Sequence, residues 1–120
     1  MSIKVGVIGA SFARAAFLPA LATINEAEVV AIASQRLESA KSAGDEFGVP
    51  AAYDDWQAML ASHDLDLVCI ATPTDTHAPM ALAALESGAH VLCDKPMAMN
   101  SEESAAMLEK ADSLLSLIHI

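Results

Sequence analysis

Four short stretches of this sequence carry residue types that chemistry could use. The first reads Val7-Ile8-Gly9-Ala10-Ser11-Phe12-Ala13-Arg14. Gly9 suits a tight turn leaving a strand, and the free backbone N–H groups after it can receive a dinucleotide's pyrophosphate. Ser11 and Arg14 hold the second and third glycine positions of the G-x-G-x-x-G pattern. A Cβ at Ser11 narrows the space for close backbone approach, while its hydroxyl can donate to a phosphate oxygen and Arg14 adds positive charge. The motif alone is weak and its place between first strand and first helix strengthens it; the plainer reading is a βα turn of another doubly wound protein.

The second stretch is Ala33-Ser34-Gln35-Arg36. An acid at this place binds the adenosine ribose 2′-hydroxyl in NAD-preferring sites. Here Ser34 and Arg36 can instead hydrogen-bond and neutralise a 2′-phosphate, which favours NADP over NAD. The plainer reading is that Arg36 opens a solvated helix. The third stretch, Ala71-Thr72-Pro73-Thr74-Asp75-Thr76-His77, has the hydroxyls of a helix start and stands where a nicotinamide ribose would pass. A histidine in a first helical turn weighs toward a structural role rather than a catalytic one. The fourth is Cys93-Asp94-Lys95-Pro96-Met97. A lysine there can donate to a substrate oxygen and favour alkoxide character during hydride transfer. Asp94 can orient it, and Pro96 stiffens the turn. By itself, Asp-Lys-Pro is a common surface tripeptide.

The elements that must position these stretches alternate strand and helix. Strands are expected at Ile3 to Ile8, Glu28 to Ala33, Ala51 to Tyr53, Leu65 to Ala71 and His90 to Cys93. A helix from Ala13 to about Thr23 is bent or ended in its first segment by Pro19. Leu37, Ala40, Ala43 and Phe47 follow helical spacing until Gly48 and Pro50. Asp54 and Gln57 read as a capping box, as do Asn100 and Glu103. A helix from Thr76 to Ser87 tolerates Pro79 in its first turn and ends before Gly88. Ala105, Leu108, Ala111 and Leu115 mark one face of a last helix. Such βαβ units build a parallel sheet with helices on both faces, a three-layer α/β doubly wound (Rossmann) fold. Its ligands bind beyond the carboxyl ends of the strands, where all four stretches lie.

Composition agrees with a single domain over residues 1–120. The chain has 120 residues, of which 54% are hydrophobic, enough for a core. The net charge of −10 disfavours nucleic acid and anionic lipid as partners. No apolar run approaches the roughly 20 residues of a membrane span, and the N-terminus has no signal-peptide layout, so a cytoplasmic location is expected. Cys69 and Cys93 sit in apolar runs and read as buried reduced thiols, with no metal set.

Together the four stretches resemble the glucose–fructose oxidoreductase / inositol dehydrogenase / MocA-type (Gfo/Idh/MocA) family. The stretches that carry the resemblance are VGVIGASFARAAFLPAL, AIASQR, ATPTDTH and ALAALESGAHVLCDKPMA, spanning about residues 3 to 111. The resemblance implies a Rossmann domain followed by a larger α/β domain, and NAD(P)-dependent oxidation of a hydroxyl on a sugar, cyclitol or related compound, or the reverse reduction. It implies that Lys95 matches the active-site lysine and that Asp94 stands for the usual glutamate, one methylene shorter. It implies that Thr72, Pro73, Thr74 and His77 lie under the nicotinamide half, and that Gly9, Ser11, Phe12 and Ala13 hold the pyrophosphate. The whole enzyme would be a homo-oligomer.

Ser11 and Arg14 depart from the family's glycine pattern, in a way also found in members that bind dinucleotide without catalysis. A non-catalytic sensor on the same fold is therefore the alternative function; a flavin or S-adenosylmethionine domain fits the Asp-Lys-Pro loop poorly. The family's aspartate and histidine from the second domain have no counterpart in this sequence, so an inactive fragment is expected. The tail from Ser113 to Ile120 lacks a helix-stopping glycine and does not read as a passage into a sixth strand.

Overall fold

The computed structural model describes residues 2–120. Six strands form one parallel sheet in the order β3-β2-β1-β4-β5-β6. They are β1 Ile3–Ile8, β2 Ala27–Ala33, β3 Ala51–Tyr53, β4 Leu67–Ile70, β5 His90–Cys93 and β6 Ile118–His119. The helices between them are α1 Leu18–Ala22, α2 Leu37–Phe47, α3 Trp56–Ser62, α4 His77–Glu86 and α5 Ser101–Ser113. The sequence crosses from β3 back past β1 to β4, so the strand order reverses between β1 and β4. That reversal is the place where such sheets leave a crevice.

Two apolar layers cover the sheet, and the strands feed them alternately. Val5, Val7, Ile32 and Cys69 pack with Leu18, Ala40 and Ala43 of α1 and α2. Ile8, Ala31, Val68 and Ile70 pack with Met59, Ala81, Ala84, Leu85, Met107 and Ala111 of α3, α4 and α5. Burying both faces explains why β4 is an unbroken apolar run. Each fully buried large aliphatic side chain stabilises by about 1.5–3 kcal/mol. Small residues on α2 and α4 bring those helices close to the strands. Gly6 does the same within β1: a Cβ there would stand 2.6 Å from Cδ1 of Leu65.

Helix ends follow local chemistry. Gly48, at φ 71°, closes α2, and Gly88, at φ 101°, follows α4. The Asn100 side chain accepts the Glu103 N–H at 2.9 Å, and Glu103 Oε1 accepts from the Met99 N–H at 2.9 Å. Between β1 and α1 the chain makes a π-helical turn, Ala13–Phe17, which delivers Pro19 to the first turn of α1, where its missing N–H costs nothing.

Three expectations are corrected. Asp55, not Asp54, caps α3, accepting the Gln57 N–H at 2.9 Å; Asp54 is left free to face the crevice. The last helix buries Met107 and Ala111, whereas Leu108 is exposed and Leu115 lies beyond the helix. Of its two apolar stripes, only one can face α4, and the Lys110–Glu86 ion pair at 2.8 Å accompanies that choice. The tail does enter the sheet as β6, with Ile118 opposite Val91. Leu115 itself takes φ 54° and makes the reversal usually left to glycine.

Candidate functional site

The carboxyl ends of the strands open into a cleft of about 640 Å³ at the switch between β1 and β4. The loop after β1 supplies Gly9, Ser11 and Phe12 to its wall, and the end of β2 supplies Ser34 and Gln35. Thr72, Pro73 and Thr76 come from the loop after β4, and Asp94 from the loop after β5. Seven of the expected residues thus meet in one cavity: Gly9, Ser11, Phe12, Ser34, Thr72, Pro73 and Asp94.

The sharp turn at Gly9 has φ 104°. A Cβ there would collide with the main-chain carbonyl of Ala71. Glycine is therefore required by the close approach of the neighbouring loop as well as by the turn. Beyond it, Ser11 and Phe12 are exposed at the mouth of the cleft, with Phe12 edge-on to Phe17 at a ring separation of 5.8 Å. Ala13 is buried beneath the turn and lines nothing. Ser11 lines the cleft at the second position of the glycine pattern.

Arg14 and Arg36 stand outside this cleft, in a smaller recess of about 230 Å³ next to it. Arg36 is the exposed residue preceding α2 and lies 3.6 Å from Glu38. Ser11 borders both cavities.

On the other side, the Thr76 hydroxyl lies 2.7 Å from the Thr72 hydroxyl and 2.6 Å from the Pro73 carbonyl, fixing the loop after β4. Thr74 begins the single 3₁₀ turn that leads into α4 and does not line the cleft. His77 is the one buried polar residue among the described residues, at 1% exposure. Its Nδ1 lies 2.8 Å from the Pro96 carbonyl and its Nε2 lies 2.8 Å from the Thr72 carbonyl. The ring therefore bridges the main chains of the loops after β4 and β5. This is a structural role toward the loop that carries Lys95, and it keeps the imidazole out of the cleft.

Lys95 and Pro96 are exposed and joined by a cis peptide bond. The Asp94 carboxylate accepts the Lys95 N–H at 2.9 Å. Among the described residues the Lys95 ammonium has no ion-pair partner. Lys95 does not line the cleft, whereas its neighbour Asp94 does.

The lining also includes Asp54, Trp56 and Met80, which lie outside the four stretches singled out from the sequence. The rule that ligands meet the carboxyl ends of strands applies equally to the end of β3 and would have found Asp54 and Trp56.

Below the loops, both thiols are free and buried, as expected. Burial pushes Cys69 up to about 12; burial and then the neighbouring Asp94 charge push Cys93 up to about 11. Neither is a nucleophile at neutral pH. Among the described residues no group of three or more potential ligands could hold a metal, and no helix is long and apolar enough to cross a membrane.

The sequence pattern of the Gfo/Idh/MocA oxidoreductase family, NAD-binding Rossmann fold, matches residues 3–119. D-xylose 1-dehydrogenase (NADP(+)) 2 of Haloferax volcanii is 38% identical over 105 residues, covering 87% of this chain and 32% of the relative. D-glucoside 3-dehydrogenase of Escherichia coli is 35% identical over 113 residues, covering 93% of this chain and 32% of the relative. Among solved structures, the 3-ketoreductase KijD10 of Actinomadura kijaniata, in complex with TDP-benzene and NADP, superposes with a TM-score of 0.92 at 34% identity. That superposition covers 98% of this chain and 37% of the other. The chain thus spans about a third of the length of the curated relatives it matches.

Proposed function

This chain belongs to the Gfo/Idh/MocA oxidoreductase family, and from that premise we propose that it is the dinucleotide-binding part of an enzyme moving hydride between NADP(H) and a sugar-, cyclitol- or other polyol-like substrate. The observation that carries this reading is the single cleft running from Ser34 to Asp94 across the strand-order switch. It offers an anion-accepting turn at Gly9 and Ser11, hydroxyls at Thr72 and Thr76 midway, and a carboxylate-lysine loop at the far end.

Bound there, the nicotinamide would supply the carbon that accepts or gives up hydride. The chain's own residues do the rest. Ser11 and the N–H groups after Gly9 hold the pyrophosphate. Ser34 and Arg36 face the adenosine ribose and favour its phosphorylated form. Thr72 and Pro73 line the nicotinamide side, Thr74 lies behind them at the start of the turn into α4, and His77 locks that support to the next loop. Lys95, whose ammonium has no ion-pair partner among the described residues, hydrogen-bonds the substrate oxygen and stabilises its alkoxide character, the charge from which hydride departs in oxidation and which grows as hydride arrives at a carbonyl in reduction. Asp94 fixes the main chain at Lys95 and so the direction from which the ammonium approaches. The substrate itself would be held largely by parts of the enzyme outside this sequence. The relatives named for sugar substrates support that substrate class. The chain alone is proposed to bind cofactor weakly and to turn over nothing; sustained NADPH production by it would refute that.

The test is titration of the chain with NADP and NAD. NADP is expected to bind more tightly, and Arg36→Ala to remove most of that preference. In the bound state, magnetisation transfer should connect the nicotinamide ring protons to the Lys95 side chain. Absence of binding by either dinucleotide, or a nicotinamide ring far from residue 95, would overturn the reading.

A further inference from the structure

The recess beside the main cleft has a composition of its own. It is walled by Ser11, Arg14, Arg36, Glu38, Ser39 and Ser42, and no apolar side chain larger than alanine reaches it. Two arginines and three serines thus share this small space with a single lining carboxylate, Glu38. Ser11 is its border with the larger cleft, and Ser34, at the end of β2, opens on the cleft beside it. An adenosine ribose passing Ser34 would therefore direct a 2′-substituent toward this recess.

Its arginines are already engaged. Arg14 Nη2 donates to Ser42 Oγ at 2.9 Å, and Arg14 Nε lies 3.2 Å from Glu46 Oε1. Arg36 Nη2 lies 3.6 Å from Glu38 Oε1. The two cations and two carboxylates balance to zero, so an arriving phosphate must share or displace a carboxylate to gain an arginine. The two pairs differ in strength. Arg36 and Glu38 are both largely exposed, a pairing worth little. Arg14 donates to Ser42 on α2 and is more enclosed, with a side-chain exposure of 40%; its buried Nε makes no hydrogen bond among the described residues and meets the Glu46 carboxylate as an ion pair alone. Glu46 is thus the stronger competitor.

Resting on the assignment of the main cleft to a dinucleotide, we propose that Arg14, Ser39 and Ser42 form a second wall of the 2′-phosphate site, and that Glu46, by holding Arg14, sets how strongly the protein prefers NADP. Arg36 and Ser34 meet the phosphate from the β2 side; Arg14 meets it from the helix that follows β1. Glu46 does not touch the cofactor. It lowers the gain from the extra phosphate by competing for the guanidinium fork, which binds carboxylate and phosphate in the same manner.

The experiment is calorimetric titration of the full chain and three variants, Arg14→Gln, Glu46→Gln and Ser42→Ala. The ligands are NADP, NAD and the fragments 2′,5′-ADP and 5′-AMP, each at low and high salt. Glu46→Gln is expected to tighten NADP and 2′,5′-ADP about 3- to 10-fold while moving NAD and 5′-AMP less than about 2-fold, the scale of one charge-assisted contact on a partly exposed arginine. Arg14→Gln should weaken the two 2′-phosphorylated ligands about 10-fold, and these differences should shrink as salt rises. Circular dichroism reports whether each variant is folded; if Arg14→Gln is not, Glu46→Gln and Ser42→Ala still decide. If NADP and NAD shift together, or neither shifts, the second wall is overturned while the main cleft stands. If Glu46→Gln weakens NADP selectively, the competitor role is overturned and Glu46 is instead a support for Arg14. A wild-type chain that binds none of the four ligands overturns the dinucleotide reading and this inference with it.

Discussion

The two ends of the cleft are built in opposite ways. At the proposed adenosine end, the loops after β1 and β2 present charged and hydroxylated side chains, with Ser11 and Arg36 exposed and Arg14 and Ser34 half-buried. Their ties are ion pairs at the surface, which side chains can exchange for a ligand. At the proposed nicotinamide end, the loops after β4 and β5 are bridged by a buried imidazole that lies 2.8 Å from a main-chain carbonyl of each. Only Lys95 extends freely from that fixed platform. The contrast separates two tasks. Recognition of the cofactor's charge tolerates adjustable groups, because binding energy sums over several contacts. Placement of the group that meets the reacting oxygen does not, because small misplacements cost rate steeply.

The comparison can be broken most forcefully at Gly9, which both ends share through the Ala71 carbonyl. Gly9→Val is expected to destabilise by about 3 kcal/mol or more, since it combines an unfavourable positive φ with a main-chain collision. Urea denaturation measures this; a loss below about 1 kcal/mol would show that the two loops are not in mutual contact. Next is His77→Ala. Removing a fully buried ring and its two carbonyl contacts should cost about 2–3 kcal/mol, with a smaller change in affinity for 2′,5′-ADP than in stability. If the affinity for that fragment fell as far as stability did, the adenosine end would not be independent.

A third test uses the thiol beneath the sheet. Cys69 is held up to about 12 in the folded protein against an ordinary 9.0. The folded value is the higher one, so stability is fully present below pH 9 and falls as pH rises from there toward 12. By pH 10 this thiol should account for roughly 1–2 kcal/mol of lost stability. Cys69→Ala should flatten the alkaline limb by that amount, as read from denaturation midpoints; an unchanged limb would mean the thiolate forms readily in the folded state. The smallest effect is expected at Asn100→Ala, about 1 kcal/mol from loss of the α5 cap, without change in dinucleotide affinity.

Much of this architecture was legible in the amino-acid order. β4 and β5 announce themselves as short apolar runs, and Gly48, Gly88 and Asn100 mark helix ends through backbone conformations and caps that depend on neighbours in sequence. The less legible parts depended on distant partners. Asp54 and Asp55 are both acceptable caps, and only the path into the crevice decides which one caps. Leu108 and Met107 lie on adjacent stripes of one helix, and the Ala-rich surface of α4 selects between them. The tail's sixth strand was missed because the usual signal is a glycine, and here a leucine adopts the same backbone. At the site, residue types identified the four loops, but not the separation of Arg14 and Arg36 into their own recess. Nor did they show the bridge made by His77, whose two ring nitrogens each lie 2.8 Å from a main-chain carbonyl, one of them 19 residues away in sequence.

The π-helical turn at Ala13–Phe17 sets the angular phase of everything upstream of it. Each residue of an α-helix advances the chain by about 100° around the axis. Excising one alanine from that turn would let it rewind as ordinary α-helix, swinging the Arg14 side of the coil by roughly that angle away from α2. An apparently spare residue thereby acts as a rotational shim, aiming a guanidinium across to the neighbouring helix instead of out into water.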